Sequence, residues 1–435
     1  MYNVSVLVPI YNVERYLDKC LSSLAAQTMQ NMEIICINDG ATDASSEIAH
    51  AYEKKDHRFR VIDKENSGYG KSMNLGLREA RGEYIGIVES DDFVEPDMFE
   101  SLYKVAKQYA VDIVKSDYWM HFKGTDKYYK AIGDYYCNKV ISAEQVPAVF
   151  DCNPSIWSNL YRREFLLEND IYFVESPGAS FQDVAFRLKN FMCAKRAFFL
   201  PQAFYHYRRD NENASVKSTG KLFCVCDEHD DAERFMNQRT GFAEKYRLLL
   251  PYLRFGHYLW NYQERNLSQN DRLAFLNRMY ADYCRLNKNG LLSEGYWSPV
   301  LWQVLQKLLK NKEQYFYDAF AEVQRRRMLR TLLSKFRNER KIAIYGAGQI
   351  GRIVLDALYR NYFNVDYFIV TEQGTVDMVD GIPVVPVEQV AKERENISVI
   401  IAVAKRTQAE VFAKLNELQF PYVLLLDDLW RTIIF

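Results

Sequence analysis

The chain has 435 residues, 48% of them hydrophobic and 26% charged, an ordinary globular composition with room for two or three domains. Its 56 Lys and Arg nearly cancel its 57 Asp and Glu, so no global field points to nucleic acid, and none is expected as a partner. No uncharged apolar run approaches the ~20 residues of a membrane span, and "NVSVLVPI" opens a strand with no basic segment before it, so neither a spanning helix nor a signal peptide is expected.

In chain order, "VSVLVPI" (4–10) reads as a strand. A helix over roughly 13–27 follows, with Val13, Tyr16, Leu17, Cys20, Leu21 and Leu24 on one face. "MEIICIND" is a second strand and "DASSEIAHAYEKK" a second helix, with Asp43 a candidate N-cap and Glu47 one position late for a capping box. "FRVIDKE", "GKSMNLGLREA" and "EYIGIVES" continue as strand, helix and strand. Strands separated by crossover helices predict a parallel sheet covered on both faces, with ligands beyond the carboxyl ends of the strands. Pro9 to Asn12, Asn38 to Gly40, Asn66 to Gly70 and Glu89 to Asp92 should therefore share one rim.

Residues 116–215 look looser and strongly aromatic, and 220–335 mostly helical, with aromatics whose spacing favours core over sugar-stacking platforms. The last hundred residues restart an α/β pattern after a boundary expected near 336–340. The 8 cysteines are scattered, several (Cys20, Cys36, Cys193) in apolar runs, and read as reduced thiols of a cytoplasmic protein. "CVCDEH" at 224–229 is only a weak zinc signature; buried or incidental residues are expected there.

Two motifs carry chemistry. Gly346, Gly348 and Gly351 form G-x-G-x-x-G between a strand and a helix, a turn that brings an anion onto backbone N–H groups. The acid that would close the second strand for NAD is absent: "FIVTE" has Val370 and Thr371 there, with Glu372 late. A dinucleotide, another nucleotide or nucleotide-sugar, and a purely structural role all stay open. The second motif is "VESDDFVEP" (88–96), with Glu89, Asp91, Asp92 and Glu95 at a strand end. Carboxylates this close raise the cost of ionising each other, and a pair at i and i+2 can reach one Mg²⁺ or Mn²⁺. The alternative is a solvated acidic loop with an Asp capping the helix near Pro96–Asp97.

"VSVLVPIYNVERYLDKCLSSLAAQT", "EIICINDGATDASSEIA" and "NSGYGKSMNLGLREARGEYIGIVESDD", in this order, resemble the family 2 glycosyltransferases of the GT-A fold, closely over 1–115 and more loosely to about 215. The resemblance implies that Pro9, Tyr11, Asn12 and Glu14 lie against a nucleotide base and that Asp39 pairs with it, usually uracil. It implies that Gly68 and Asn74 lie near the diphosphate. Asp91 would contact a Mn²⁺ or Mg²⁺ cofactor, Glu89 the ribose or the metal's water, and Asp92 is the extra acid often found next. Position 89 is Glu rather than Asp, and Met73 replaces an Arg often found there, whose charge either Lys71 or nothing supplies. "SPGASFQDVAFRL" (176–188) resembles the segment holding the catalytic base, here Asp183, with Gln182 in place of the usual Glu. "FYHYRRDNENAS" (204–215) offers His206 to the metal, and His206, Arg208 or Arg209 to the diphosphate.

The expected fold is α/β. An N-terminal GT-A domain, Rossmann-like with a mostly parallel sheet, covers 1–215, with a nucleotide-binding half 1–115 and an acceptor half 116–215. A mostly helical segment follows over 216–338, then a C-terminal Rossmann-like domain over 339–435. The expected activity is metal-dependent, inverting transfer from a nucleotide-diphosphate sugar, UDP-linked, to a hydroxyl of a saccharide or lipid-linked acceptor in bacterial surface polysaccharide synthesis. The basic stretch "QRRRMLRTLLSKFRNERK" (324–341) is either a peripheral contact with the inner face of the plasma membrane or a salt-bridged linker. The rivals are an NAD-linked oxidoreductase or epimerase centred on Gly346, Gly348 and Gly351, and a non-catalytic sugar-nucleotide binder.

Overall fold

The runs "VSVLVPI" and "MEIICIN" are buried at every position, as strands covered on both faces must be. In a computed structural model, which describes residues 2–176, 180–211, 222–265, 267–319, 323, 340–360, 363, 365–372, 374 and 377–425, they begin a regular alternation. It runs β1 (Val4–Ile10), α1 (Glu14–Ala25), β2 (Met32–Asn38), α2 (Ser45–Lys55), β3 (Phe59–Asp63), α3 (Tyr69–Glu79) and β4 (Tyr84–Ile87). All pairings among these four strands are parallel, in the order β3-β2-β1-β4.

The chain continues through β5 (Phe93–Val94), α4 (Met98–Tyr109), β6 (Ile113–Phe122), β7 (Thr125–Tyr129), β8 (Val140–Ile141), β9 (Asn159–Arg162), α5 (Arg163–Glu168), α6 (Gln182–Cys193) and β10 (Ala197–Arg208). The sheet extends as β4-β9-β6-β10-β5, with β7 added to β6 and β8 to β10. The aromatic stretches that read as loose are thus its two longest strands, β6 and β10. Apolar and aromatic side chains occupy both faces of these strands, which hides the alternation that would mark a half-exposed strand. One core lies on the face covered by α1 and α4, with Leu17, Leu21, Phe99 and Leu102; the other lies under α3 and α6, with Leu77, Val184, Phe186 and Leu188.

The helices α7 (Cys224–Asn237), α8 (Phe242–Tyr246), α9 (Leu249–Glu264), α10 (Gln269–Lys288) and α11 (Pro299–Lys310) follow. Phe255, Tyr258, Tyr262 and Tyr283 are buried here, so the aromatic stripes are core. Because α7 packs on α6, the helices join the sheet domain: the chain divides into Met1–Lys312 and Glu313–Phe435. Apart from Arg340 and Lys341, the basic stretch 324–341 lies outside the described residues. None of the 8 cysteines is disulfide-bonded, and no helix of the described residues is long and apolar enough to cross a membrane.

The second unit holds β11 (Lys341–Tyr345), β12 (Tyr367–Val370), β13 (Met378–Val379), β14 (Ile382–Pro386), β15 (Ile397–Ile401) and β16 (Val423–Leu425), ordered β13-β14-β12-β11-β15-β16 and parallel except for β13. The central β11, with its neighbours running outward to both sides, is a doubly wound arrangement. Gly346 has φ +113° and donates its N–H to Ile369 O at 2.8 Å; a Cβ on Gly351 would lie 1.9 Å from Gly346 O. A Cβ on Gly348 would meet nothing within 4 Å. Gly351→Ala should therefore lower the stability of this unit by about 1–3 kcal/mol through overpacking. Gly348→Ala should stay within about 0.5 kcal/mol of the parent in the same chemical-denaturation experiment.

Candidate active site

The rim begins where β1 outruns β4. The last β1–β4 pair is Leu7–Ile87; Leu7 O accepts from Val88 N and Ile10 O from Asp39 N, so Pro9 turns its missing donor to the side where no strand remains. Beyond it, Tyr11 is 49% exposed, and Asn12, at φ +50°, accepts from Thr42 N at 2.8 Å through Oδ1. Glu14 and Asp43 exchange caps: Glu14 Oε2 accepts from Ala44 N at 2.9 Å, and Asp43 Oδ2 accepts from Glu14 N at 3.1 Å. Asp43 Oδ1 also accepts from Ser45 N at 3.0 Å. Glu14 N, at the start of α1, and Ala44 N, just before α2, are thus each met by a carboxylate from the start of the other element, which ties the two rim segments together.

Asp39 is buried and accepts from Ser67 N and Gly68 N, each at 2.9 Å, while Lys64 forms an ion pair with it. It thereby folds the segment 64–68 over the end of β2. Gly68 has φ +97°, and a Cβ on Gly70 would sit 2.0 Å from Val174 O, so the entry to α3 is pressed against residues 173–175. Asn74 completes that contact: Nδ2 donates to Phe173 O and Glu175 Oε1, both at 3.0 Å, and Oδ1 accepts from Phe173 N at 2.8 Å. Its amide is thus a clamp between α3 and 173–175, where the sequence placed it beside a diphosphate. Lys71 is exposed on the first turn of α3.

The acidic cluster is held from β10. The Tyr205 hydroxyl accepts from Glu89 N at 3.0 Å and donates to Asp92 Oδ2 at 2.7 Å, while Arg208 N donates to Asp92 Oδ1 at 2.7 Å. Asp92, 1% exposed, faces inward with both oxygens occupied, and burial pushes its carboxyl well up; it anchors the loop rather than facing a donor as expected. Asp91 O accepts from Arg208 Nε at 2.7 Å, and Asp91 Oδ2 from Asn211 Nδ2 at 2.8 Å, leaving Oδ1 without a partner among the described residues. Glu89, partly buried, accepts from the Tyr69 hydroxyl at 2.7 Å. Burial raises its carboxyl to about 7; the Tyr69 hydrogen bond opposes this, and the negative charges of Asp91 and Asp183 add to it.

Asp183 stands in the first turn of α6, just after Phe181 at φ +62°. Burial raises its carboxyl; the Arg187 guanidinium and backbone N–H groups pull it back. Gln182 accepts from Ser180 N and donates to Ser176 Oγ at 3.1 Å, holding the loop before α6 at both ends. From α7, Glu228 Oε2 accepts from Ala185 N at 3.0 Å, and burial pushes its carboxyl up to about 9. The "CVCDEH" segment is part of that helix, and His229 Nε2 lies 2.8 Å from His257 Nδ1.

His206 does not join Glu89 and Asp91, contrary to expectation. Its ring stacks on Phe93, with Nε2 2.9 Å from Glu95 Oε1 and Nδ1 3.1 Å from Asp126 Oδ1. Arg208 serves the backbone of Asp91, and Arg209 donates to the Tyr207 hydroxyl at 3.3 Å. The sequence reading missed Tyr69, Lys64, Tyr205, Asn211 and Glu228. Tyr69 adjoins the glycine loop and could have been found there; the others depend on partners distant in the chain.

A model of glycosyl transferase family 2 matches residues 5–174. The glycosyltransferase GlyG of Streptococcus pneumoniae serotype 4 is 34% identical over 47% of this chain and 70% of its own. The uncharacterized glycosyltransferase EpsJ of Bacillus subtilis (strain 168) is 36% identical over 52% of this chain. The chain spans 66% of EpsJ's length, just under two thirds. Among solved structures, S. aureus TarS 1–349 in complex with UDP is similar at 21% identity and a TM-score of 0.49, covering 74% of this chain and 90% of that one.

The raised carboxyl of Glu89 has a measurable consequence. A carboxyl near 4.5 in the unfolded chain and about 7 in the folded one favours folding below pH 4.5, and that advantage is lost as pH rises through 7. In chelator-treated protein, Glu89→Gln should match the parent near pH 4.5 and exceed it by about 1–3 kcal/mol at pH 8, read by urea unfolding. A gap that does not widen with pH would remove the repulsion inferred at Glu89.

Proposed function

The chain belongs to glycosyl transferase family 2, and from that premise we propose that it moves a sugar from a UDP-sugar to an acceptor hydroxyl with inversion at the anomeric carbon. The observation that carries the reading is the convergence of Glu89, Asp91 and Asp183. The charges of Asp91 and Asp183 both bear on the Glu89 carboxyl, which rises to about 7. Like charges gathered at a strand end, with Asp91 Oδ1 free among the described residues, fit a divalent cation with oxygen ligands, Mn²⁺ or Mg²⁺. Asp91 would hold it, with Glu89 toward its water or the donor ribose. When bound, such a cation neutralises the diphosphate and the charge growing on the leaving nucleotide.

The chain's own residues do the rest. Tyr11, half exposed at the rim, offers a ring face to the base, and the loop fixed by Asp39 turns the N-terminus of α3 toward the diphosphate. Asp183, raised by burial but kept in check by Arg187, takes the proton from the acceptor hydroxyl. The hydroxyl oxygen then attacks the anomeric carbon from the face opposite the departing nucleotide. With the leaving side stabilised by charge, no proton donor is needed there. The acceptor is a saccharide or lipid-linked saccharide of a bacterial surface polymer.

A thermal-shift panel with UDP, GDP, CMP and NAD, each with and without Mn²⁺, tests this through ligand stabilisation of the folded state. UDP should stabilise the protein only with Mn²⁺, and Asp91→Ala should remove the shift. Asp183→Asn should keep the shift while UDP release from the donor falls by about 10²–10⁴-fold, the usual contribution of a general base. A shift with NAD alone, indifferent to metal, would overturn the reading.

A further inference from the structure

Three side chains converge on the strands β7, β6 and β10. His121 and Asp126 are direct cross-strand partners, and His206 pairs with Trp119, one pleat from His121. Their candidate ligand atoms all lie within 4.8 Å of one another. Asp126 Oδ1 is 2.8 Å from His121 Nδ1 and 3.1 Å from His206 Nδ1.

His206 supplies the decisive detail. It is 6% exposed, and its Nδ1 makes no hydrogen bond despite the nearby carboxylate. Its Nε2 faces Glu95 Oε1 at 2.9 Å; an ionised carboxylate only accepts, so the ring hydrogen belongs on Nε2. Nδ1 is then the nitrogen left to face the Asp126 oxygen, at 3.1 Å. A buried ring nitrogen and a partly exposed carboxylate oxygen held this close can share a cation between them.

We propose that His121, Asp126 and His206 bind a borderline first-row divalent cation, zinc above all, at a site separate from the donor's carboxylates. Two imidazoles and one carboxylate suit zinc and disfavour Mg²⁺ and Ca²⁺, which prefer oxygen. Ligands at zinc-bond lengths in a tetrahedron are about 3.3 Å apart; the Asp126 oxygen, now 2.8 and 3.1 Å from the two histidines, would back away by a few tenths of an ångström while the histidines close on the ion from within 4.8 Å. Asp126, 33% exposed on a two-strand hairpin, is the member able to move. Glu95 is the carboxylate that orients a metal-bound histidine through its other nitrogen. Phe93 fixes both rings, stacked on His206 at 4.3 Å and edge-on to His121 at 5.0 Å. The bound ion fastens the β6–β7 hairpin to β10, the strand whose Tyr205 and Arg208 hold Glu89, Asp91 and Asp92. The inference stands independently of the reaction assigned to the donor site.

Chelator-treated full-length protein, dialysed against zinc and titrated against a chromophoric zinc chelator, tests it without any assay of transfer. Stoichiometric zinc should be retained by the parent and by Asp91→Ala. It should be lost in Asp126→Asn and His121→Asn. Asp126→Asn, at an exposed position and isosteric, decides the matter if the histidine variant fails to fold. Glu95→Gln should weaken zinc about 10- to 100-fold. Absence of zinc from the parent would overturn the proposal. Zinc kept by Asp126→Asn but lost in Asp91→Ala would overturn it equally, by placing the ion at the donor site.

Discussion

One hydroxyl orders the acidic loop. Tyr205 accepts from Glu89 N and donates to Asp92 Oδ2, a partner 113 positions earlier in the chain. Because Asp92 is fixed inward by this bond and by Arg208 N, its neighbours cannot choose their orientation freely: Asp91 is held through its carbonyl by Arg208, and Glu89 turns to Tyr69. A cluster of carboxylates left to itself spreads apart into water. Here a buried anchor keeps Glu89 and Asp91 close enough to repel, and that repulsion makes the place receptive to positive charge.

This explains how far the sequence could be read. The β1–β4 half rests on local βαβ units, whose apolar runs, helix faces and turn glycines are contiguous, so strands, rim and loop positions follow directly. Orientation does not follow. Asp91 and Asp92 are adjacent and chemically alike, yet one faces the rim and the other the core, and only β10 decides which. Asn74 was placed near the rim through its motif, but its amide serves residues 99 and 101 positions away. His206 was assigned to the wrong carboxylates for the same reason: the register of β10 against β5 and β6 sets its neighbours, and two-faced aromatic strands carry no alternation from which to read that register.

The second unit shows the opposite limit, a motif whose steric meaning is complete without a ligand. Gly346 needs its positive φ for the turn that returns its N–H to Ile369, and Gly351 must lack a Cβ because Gly346 O occupies that space. These constraints come from passing this strand into its helix over a parallel sheet. Gly348 alone is free of them. The glycine spacing therefore specifies a backbone path, while the ligand depends on side chains around it that the spacing does not name.

In the reaction proposed here, the base must satisfy two opposed demands. Asp183 has to be ionised to accept a proton, yet must hold a proton more strongly than an ordinary carboxylate to be useful to a hydroxyl. Burial raises the carboxyl, and Arg187, one turn along the same helix, opposes that rise. Glu228, pushed up to about 9 by its own burial, fits beside Asp183 because it is neutral at physiological pH and adds no charge to the cluster. The arrangement proposed here leaves Asp91 and Asp183 to meet an incoming cation and an acceptor proton, and keeps Asp92 and Glu228 for holding the strand and helix ends that position them.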